Sequence, residues 1–264
     1  MKKTALLSGM IDACRVVGDF QLQHFRSVKS EAITDKGLNQ LVSFVDVESE
    51  KMLVKSLQKL KPDAGFITEE ETAQGQSHNA NVWIIDPLDG TTNFLHGLQV
   101  FSISIALMEN NVITAGVVYS PAMDEMFCAE KGFGAFLNDN PIQVSKTEDL
   151  RSSLIATGFP YYEFQQTQSY LQLLGELMKS THGLRRMGSA AIDLAYTACG
   201  RFDGFYETGL NAWDVAAGAL LVEEAGGKVS DFSINQNHLF GKQIVAANPR
   251  VYRELQPLTL TYLG

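Results

Sequence analysis

Trp83-Ile84-Ile85-Asp86-Pro87-Leu88-Asp89-Gly90-Thr91-Thr92-Asn93 is the stretch on which the reading of this chain turns. Val82 to Ile85 make an apolar run of the length of a buried strand. The run ends in two carboxylates, Asp86 and Asp89, with Gly90 and the hydroxyls of Thr91 and Thr92 directly behind. A strand that delivers two acids to its end and turns through glycine suits hard cations, which take oxygen ligands. Pro87 pushes Asp86 toward an extended backbone, and the Leu88 carbonyl between the acids is a further oxygen donor. Gly90 permits close approach of the backbone to a ligand. The amides of Gly90, Thr91 and Thr92 form an anion cradle if a helical turn begins there. The combination points to metal-assisted hydrolysis of a phosphate ester. The same letters also spell an ordinary Asp-Pro-x-Asp-Gly turn, so acids elsewhere must decide.

Two such places exist. Upstream, Gly65-Phe66-Ile67-Thr68-Glu69-Glu70-Glu71 is a short apolar strand running into three glutamates. Downstream, Gly209-Leu210-Asn211-Ala212-Trp213-Asp214-Val215-Ala216-Ala217-Gly218 puts an aspartate at the start of a helix. Taken singly, the glutamates read as a solvated acidic loop and Asp214 as an N-cap.

Taken together, these segments resemble the inositol monophosphatase family. The family belongs to the lithium-sensitive, Mg²⁺-dependent phosphatases that include fructose-1,6-bisphosphatases and 3′-phosphoadenosine 5′-phosphate phosphatases. Its W-x-x-D-P-x-D-G-T-x-N-F signature stands at Trp83 to Phe94. Its W-D-x-A-A-G signature stands at Trp213 to Gly218, with E-A-G-G at Glu224 to Gly227. The bacterial members are the most similar, through Arg185-Arg186-Met187-Gly188-Ser189-Ala190 onward and Gly204-Phe205-Tyr206-Glu207. The resemblance implies a layered α-β-α-β-α sandwich of mixed α/β class, and two or three Mg²⁺ ions held by Glu69, Asp86, the Leu88 carbonyl, Asp89 and Asp214. It implies Glu69, Thr91 and Asp46 as the groups that orient and deprotonate a water for in-line attack. Substrate contacts fall to Asp89, Gly90, Thr91, Thr92, Gly188, Ser189, Ala190, Glu207 and Asp214. Inositol monophosphate is the first expected substrate; fructose 1,6-bisphosphate, histidinol phosphate and 3′-phosphoadenosine 5′-phosphate are the alternatives. Some bacterial relatives also act with RNA polymerase, so a transcription-associated role stays open. In that case Arg185-Arg186 is the surface to inspect; the plainer expectation is that these arginines line a homodimer interface or pair with surplus acids. One departure is visible: Gln40 stands where relatives carry aspartate, after the lid region Ser30 to Asn39, which bears on the third cation.

The 264 residues carry 21 Lys and Arg against 30 Asp and Glu, a net charge of −9. That balance argues against a phosphate-backbone-binding surface. It does not conflict with a phosphate ester in an acidic pocket, because bound cations invert the local charge. Cys14, Cys128 and Cys199 read as reduced thiols of a cytoplasmic protein. The five histidines have no zinc spacing. No run of about 18 apolar residues exists, so no membrane span is expected.

Helical spacing of Leu7, Met10, Cys14, Val17 and Phe20 predicts a helix near 4–26, and Leu53, Leu57 and Leu60 predict a second over 43–60. Strands are expected at 65–68, 82–86, 101–108, 112–120, 125–130, 134–138 and 141–144. Glu109-Asn110-Asn111 and Asn138-Asp139-Asn140 are the expected turns, and Phe101 to Ile105 alternates like a half-buried strand. Beyond about residue 145 strands (153–157, 183–187, 203–207, 228–230, 243–247) alternate with helices (164–180, 189–199, 213–225, 248–256). The chain therefore divides into an α+β half, 1–147, carrying most of the metal ligands, and an α/β half, 148–264, with Asp214 and the substrate contacts; together they form one catalytic unit.

Overall fold

The computed structural model of the chain describes residues 3–27, 33–37, 40–73, 80–160, 166–235 and 237–264, with the backbone alone at 33–37 and 40–42. The elements run in chain order as α1 (Ala5–His24), β1 (Ile33–Gly37), β2 (Gln40–Ser43), α2 (Phe44–Leu60), β3 (Gly65–Thr68), β4 (Asn81–Asp89), α3 (Thr91–Leu95), β5 (Ser102–Glu109) and β6 (Val112–Ser120). They continue as β7 (Glu125–Glu130), β8 (Gly134–Leu137), β9 (Asn140–Ile142), β10 (Leu154–Thr157), α4 (Thr167–Ser180), β11 (Gly183–Arg185), α5 (Ala190–Ala198), β12 (Gly204–Thr208), α6 (Ala212–Glu224), β13 (Lys228–Ser230), β14 (Gln243–Ala247) and α7 (Pro249–Leu263).

Seven strands form one sheet in the order β3-β4-β5-β6-β7-β8-β9, parallel at β3/β4 and antiparallel elsewhere. Five form a second sheet, β11-β10-β12-β14-β13. Alternating side chains of the central strands decide the layering. Trp83 and Ile85 of β4, with Ile103, Ile105 and Leu107 of β5, pack against Leu7, Met10, Cys14 and Val17 of α1 and Leu53 and Leu57 of α2. Val82 and Ile84 face the other way, onto Ile192 and Leu194 of α5 and Val215, Ala216 and Leu220 of α6, which also meet Phe205 and Ile244 of the second sheet. Ile155, Tyr206 and Val245 on that sheet's far face pack against Leu173 and Leu177 of α4 and Val251 and Leu255 of α7. The five layers are thus α, β, α, β, α, as expected. The middle helical layer is shared by both sheets, which is why α5 and α6 are apolar around most of their girth.

Some expectations need correction. β5 is buried on both faces; Ser102 and Ser104 look like solvent-side residues in the sequence but are small enough to lie under the middle layer, where Ser104 Oγ donates to the Trp213 carbonyl at 3.1 Å. Leu60 is 37% exposed and leans on Gly9 of α1, where a Cβ would fall 2.5 Å from it. Phe20 leaves the α1 stripe and joins Val45, Leu88, Phe94 and Phe101 in a separate cluster. Residues 33–37, read as part of a loop, pair antiparallel with β2; Ser30, Asn39 and the Gln40 side chain lie outside the described residues. The last helix does not stop before Pro257 but runs to Leu263. Proline removes one helical hydrogen bond, yet Leu255, Thr259 and Leu263 on one face are buried and hold the helix to the sheet.

Both asparagine-rich turns take left-handed backbone at their central residues, Asn110 (φ 51°) and Asn111 (φ 63°), and Asn138 (φ 45°) and Asp139 (φ 69°), as tight hairpins require. The three cysteines are free thiols, and burial pushes Cys128 up to about 11. Among the described residues no helix is long and apolar enough to cross a membrane.

Candidate metal and phosphate site

In a regular strand Asp86 and Asp89, three residues apart, would point to opposite faces. Here Asp86 stands opposite Ser104 and Asp89 opposite Ser102, so β4 has one residue more than β5 between them. This bulge resets the alternation. Both acids now face one cavity, while the Leu88 side chain turns into the aromatic cluster of Phe94 and Phe101. Gln21 Nε2 of α1 donates to the Pro87 carbonyl at 2.7 Å, and Leu88 N donates to Asp86 Oδ1 at 2.9 Å. Gly90 follows at φ 92°, where a Cβ would lie 2.9 Å from the Val100 carbonyl; only glycine fits, and α3 starts at the next residue.

Three loops complete the site. β3 leads into Glu69, which lines the same cavity as Asp86. Asp214 stands third in α6, not at its cap; Asn211 is the cap, and its backbone N–H donates to Asp214 Oδ2 at 2.6 Å. Asp89 Oδ2 accepts from Ser189 Oγ at 2.7 Å and from Ala191 N at 2.8 Å, so the acid of β4 satisfies the first turn of α5. Among the described residues Asp86, Asp89 and Asp214 each offer a carboxylate oxygen, and these lie within 4.8 Å of one another. Thr91 Oγ1 is 2.8 Å from Asp46 Oδ1 and 3.0 Å from the Leu88 carbonyl. Asp46 is buried at the start of α2, its other oxygen accepting from Ser43 N and Oγ at 2.8 and 2.7 Å.

The cavity has a volume of about 560 Å³ and is lined by Glu69, Asp86, Leu88, Asp89, Gly90, Thr91, Thr92, Gly188, Ser189, Ala190, Glu207 and Asp214. Asp46 stands behind Thr91. The structure therefore brings the residues singled out in the sequence to one place. It also adds Glu70, Gly158, Phe159, Arg186 and Asn211 to the wall. Arg186 was visible two residues before Gly188, but its adjacency to Arg185 drew attention to a partner surface. Both arginines are exposed, and the Arg186 guanidinium stacks on the Phe159 ring, 5.3 Å from its centroid.

Crowded acids in a site of low polarity hold their protons. Burial first, then neighbouring carboxylates, raise Glu69 and Asp86 well above the ordinary range. Burial and the field of Asp89 push Asp214 up to about 7. Burial likewise lifts Asp89 to about 6, against the hydrogen bonds from Ser189 and Ala191 and the Arg186 charge, which lower it. Glu207 is pushed up to about 8 by burial and by Asp214. An all-oxygen donor set this short of positive charge fits divalent hard cations.

The profile of the inositol monophosphatase family matches residues 2–263. The chain belongs to the inositol monophosphatase family. Among its relatives, the inositol-1-monophosphatase of Mesorhizobium japonicum is 43% identical over 255 residues, covering 97% of this chain and 96% of the relative. The Nus factor SuhB of Escherichia coli is 40% identical over 250 residues, covering 95% and 94%. In structure, the chain is similar to the extragenic suppressor protein suhB of Bartonella henselae, with a TM-score of 0.92 at 40% identity over 97% of this chain and 98% of that one. It is also similar to the inositol monophosphatase of Anabaena, with a TM-score of 0.86 at 35% identity over 97% and 95%. The inositol monophosphatase family is metal-dependent and its activity is that of a phosphatase, which agrees with the acid-lined cavity.

Proposed function

We propose that the chain hydrolyses the phosphate monoester of a small polyol, inositol monophosphate first, as a cytoplasmic homodimer using two or three Mg²⁺ ions. The observation that carries this reading is the convergence of Glu69, Asp86, the Leu88 carbonyl, Asp89 and Asp214 on one cavity beside the free amides of the α3 start. Those five groups would hold the cations. When bound, Mg²⁺ supplies positive charge against the phosphoryl oxygens and lowers the pKa of an attacking water.

The chain's own residues do the rest. Thr91 Oγ1 donates its proton to Asp46, which leaves its lone pairs to accept from, and so orient, the water. Glu69 takes the water's proton. Asp46, fixed by Ser43, keeps the Thr91 rotamer. The N–H groups at Gly90 to Thr92 face the phosphate oxygens. Glu207 accepts from hydroxyls of the alcohol portion, and Gly188, Ser189 and Ala190 form the wall beside it.

Phosphate release with Mg²⁺ from inositol 1-phosphate, fructose 1,6-bisphosphate, histidinol phosphate and 3′-phosphoadenosine 5′-phosphate tests the substrate. Preference for the inositol ester supports the reading, and preference for another replaces the substrate. No turnover on any moves the weight to an interaction role, a reading favoured by the relatives named Nus factor SuhB. That second reading predicts recovery of transcription proteins on the immobilised chain, and loss of that recovery on Arg185→Ala.

Gly158 provides a sharper test of Glu207. A Cβ at Gly158 would fall 1.8 Å from Glu207 Oε1. The whole carboxyl must move, since Cδ and Oε2 would lie 1.9 and 2.2 Å away, but it is the end of a side chain that can swing, so Gly158→Ala is expected to fold. Its KM for a polyol phosphate is expected to rise by roughly 10-fold or more, the worth of one charged hydrogen bond. An unchanged KM in the steady-state assay would remove Glu207 from the substrate site.

A further inference from the structure

Helix α2 turns a buried polar edge toward the site. Asp46, Ser49 and Glu50 fall three and four residues apart, on one side of the helix, and all three are buried. Each reaches a different part of the site. Asp46 accepts from Thr91. Ser49 Oγ accepts at 3.2 Å from Gln21 Nε2, the same amide that holds the Pro87 carbonyl of the bulge. Glu50 reaches the turn after β3. Its Oε2 accepts from Glu70 N at 2.7 Å, and its Oε1 accepts from both the N–H and the hydroxyl of Thr72, each at 2.7 Å.

That turn needs holding. β3 is an edge strand, paired on one side with β4. Glu71, between the two amides that Glu50 receives, has φ 52°, a left-handed conformation that costs energy for a residue with a side chain. Glu50 has no exposed surface, and a buried acid is costly unless its oxygens are filled with donors. Leu53 and Leu57 already anchor α2 to the sheet, so packing of the helix does not call for an acid at position 50. What the acid does is fix the segment that carries Glu69.

We propose that Glu50 is a positioning residue for the cation site: it clamps the Glu69–Thr72 turn so that the Glu69 carboxylate stays against Asp86 and Asp214. This rests on the metal-dependent phosphatase reading above and deepens it. Glu50 touches neither cation nor substrate; it acts through the backbone of Glu70 and Thr72.

The test uses Mn²⁺ binding followed by its EPR signal, which needs no substrate, on the wild type and on Glu50→Gln. The amide keeps the volume but loses one acceptor and brings a donor toward N–H groups. Expected is a Mn²⁺ affinity weaker by roughly 10–100-fold, the usual effect of losing a group that orients a ligand. In Mg²⁺ assays kcat is expected to fall and KM for the ester to stay near its wild-type value, with far-UV circular dichroism unchanged. A folded Glu50→Gln with wild-type Mn²⁺ affinity and kcat overturns the proposal, whatever happens to Tm. Should Glu50→Gln fail to fold, Thr72→Val, which removes the hydroxyl bond alone, decides: a few-fold weaker Mn²⁺ binding supports the proposal and unchanged binding overturns it. A wild type that binds Mn²⁺ but hydrolyses no ester sinks the phosphatase reading and leaves the Glu50 proposal standing on the affinities, while a wild type that binds no Mn²⁺ overturns both.

Discussion

Asp89→Asn removes turnover and leaves the fold intact. Asp89 Oδ2 already accepts from Ser189 Oγ and Ala191 N, and an asparagine carbonyl oxygen can still accept both bonds, though more weakly than a carboxylate. The start of α5 therefore keeps its partner. What disappears is one of the three carboxylates that converge within 4.8 Å, and with it a negative ligand. The amide nitrogen that replaces the free oxygen carries hydrogens and cannot donate a lone pair to a cation. Turnover is expected to drop by at least about 10³-fold, or ~4 kcal/mol of transition-state stabilisation. Tm in chelator is expected to stay level or rise, because a repelling charge has gone. Steady-state rates and a thermal melt of the same preparation check both halves of the claim. Retained activity would exclude Asp89 from the cation site, and an unfolded variant would show that its bonds to α5 need a carboxylate.

The cation-free protein loses stability as pH rises from about 4 to 8, and Mg²⁺ restores it. Asp89 and Asp214, raised from the usual 3.8 to about 6 and about 7, keep protons in the folded chain that the unfolded chain has released. Over that window the folded state binds more protons, so unfolding becomes easier with rising pH. Below about 4 both states are protonated and the slope vanishes; above the raised values both are ionised and the loss is complete. Glu69 and Asp86 shift in the same direction. Asp89 and Asp214 together contribute roughly 7 kcal/mol, large for a protein whose whole stability is roughly 5–15 kcal/mol. Urea unfolding in chelator at pH 5 and pH 8 measures it. On the proposed function Mg²⁺ would bind the ionised set and stabilise by mass action, so its effect on Tm should be large at pH 8 and small at pH 5. Asp89→Asn should flatten the slope. A slope of zero in wild type would mean that the carboxylates are solvated or paired in the cation-free chain.

Much of this was legible before any coordinates. β3, β6, β7, β13 and β14 lie where apolar runs between turn residues put them, because strand periodicity and asparagine turns are local signals. Four of the five candidate donors, Asp86, the Leu88 carbonyl, Asp89 and Asp214, stood out for a different reason, since they sit in two long signatures; Glu69 stood out only as the end of a short apolar strand. The β4 bulge was not, because it is a count relative to β5 and Pro87 alone does not announce it. β5 misled because serine reads as polar although its size suits a crowded interior. α7 misled because a proline inside a helix is overruled by contacts that lie far away in sequence. Glu50 stayed hidden among the charges of Glu48, Glu50 and Lys51, where nothing local separates a solvated glutamate from one that receives three donors.

The bond between Asp89 and the first turn of α5 spans about a hundred positions of the chain. It makes the chemistry a late event in the life of the polypeptide. A ribosome that has released the first sheet has already laid down most of the proposed ligands, yet Asp89 has nothing to dock on until residues 189–191 emerge. Asp214 comes only with the helix that both sheets share. On the proposed function, turnover therefore needs both halves of the chain, and a polypeptide ending before residue 189 is expected to show none.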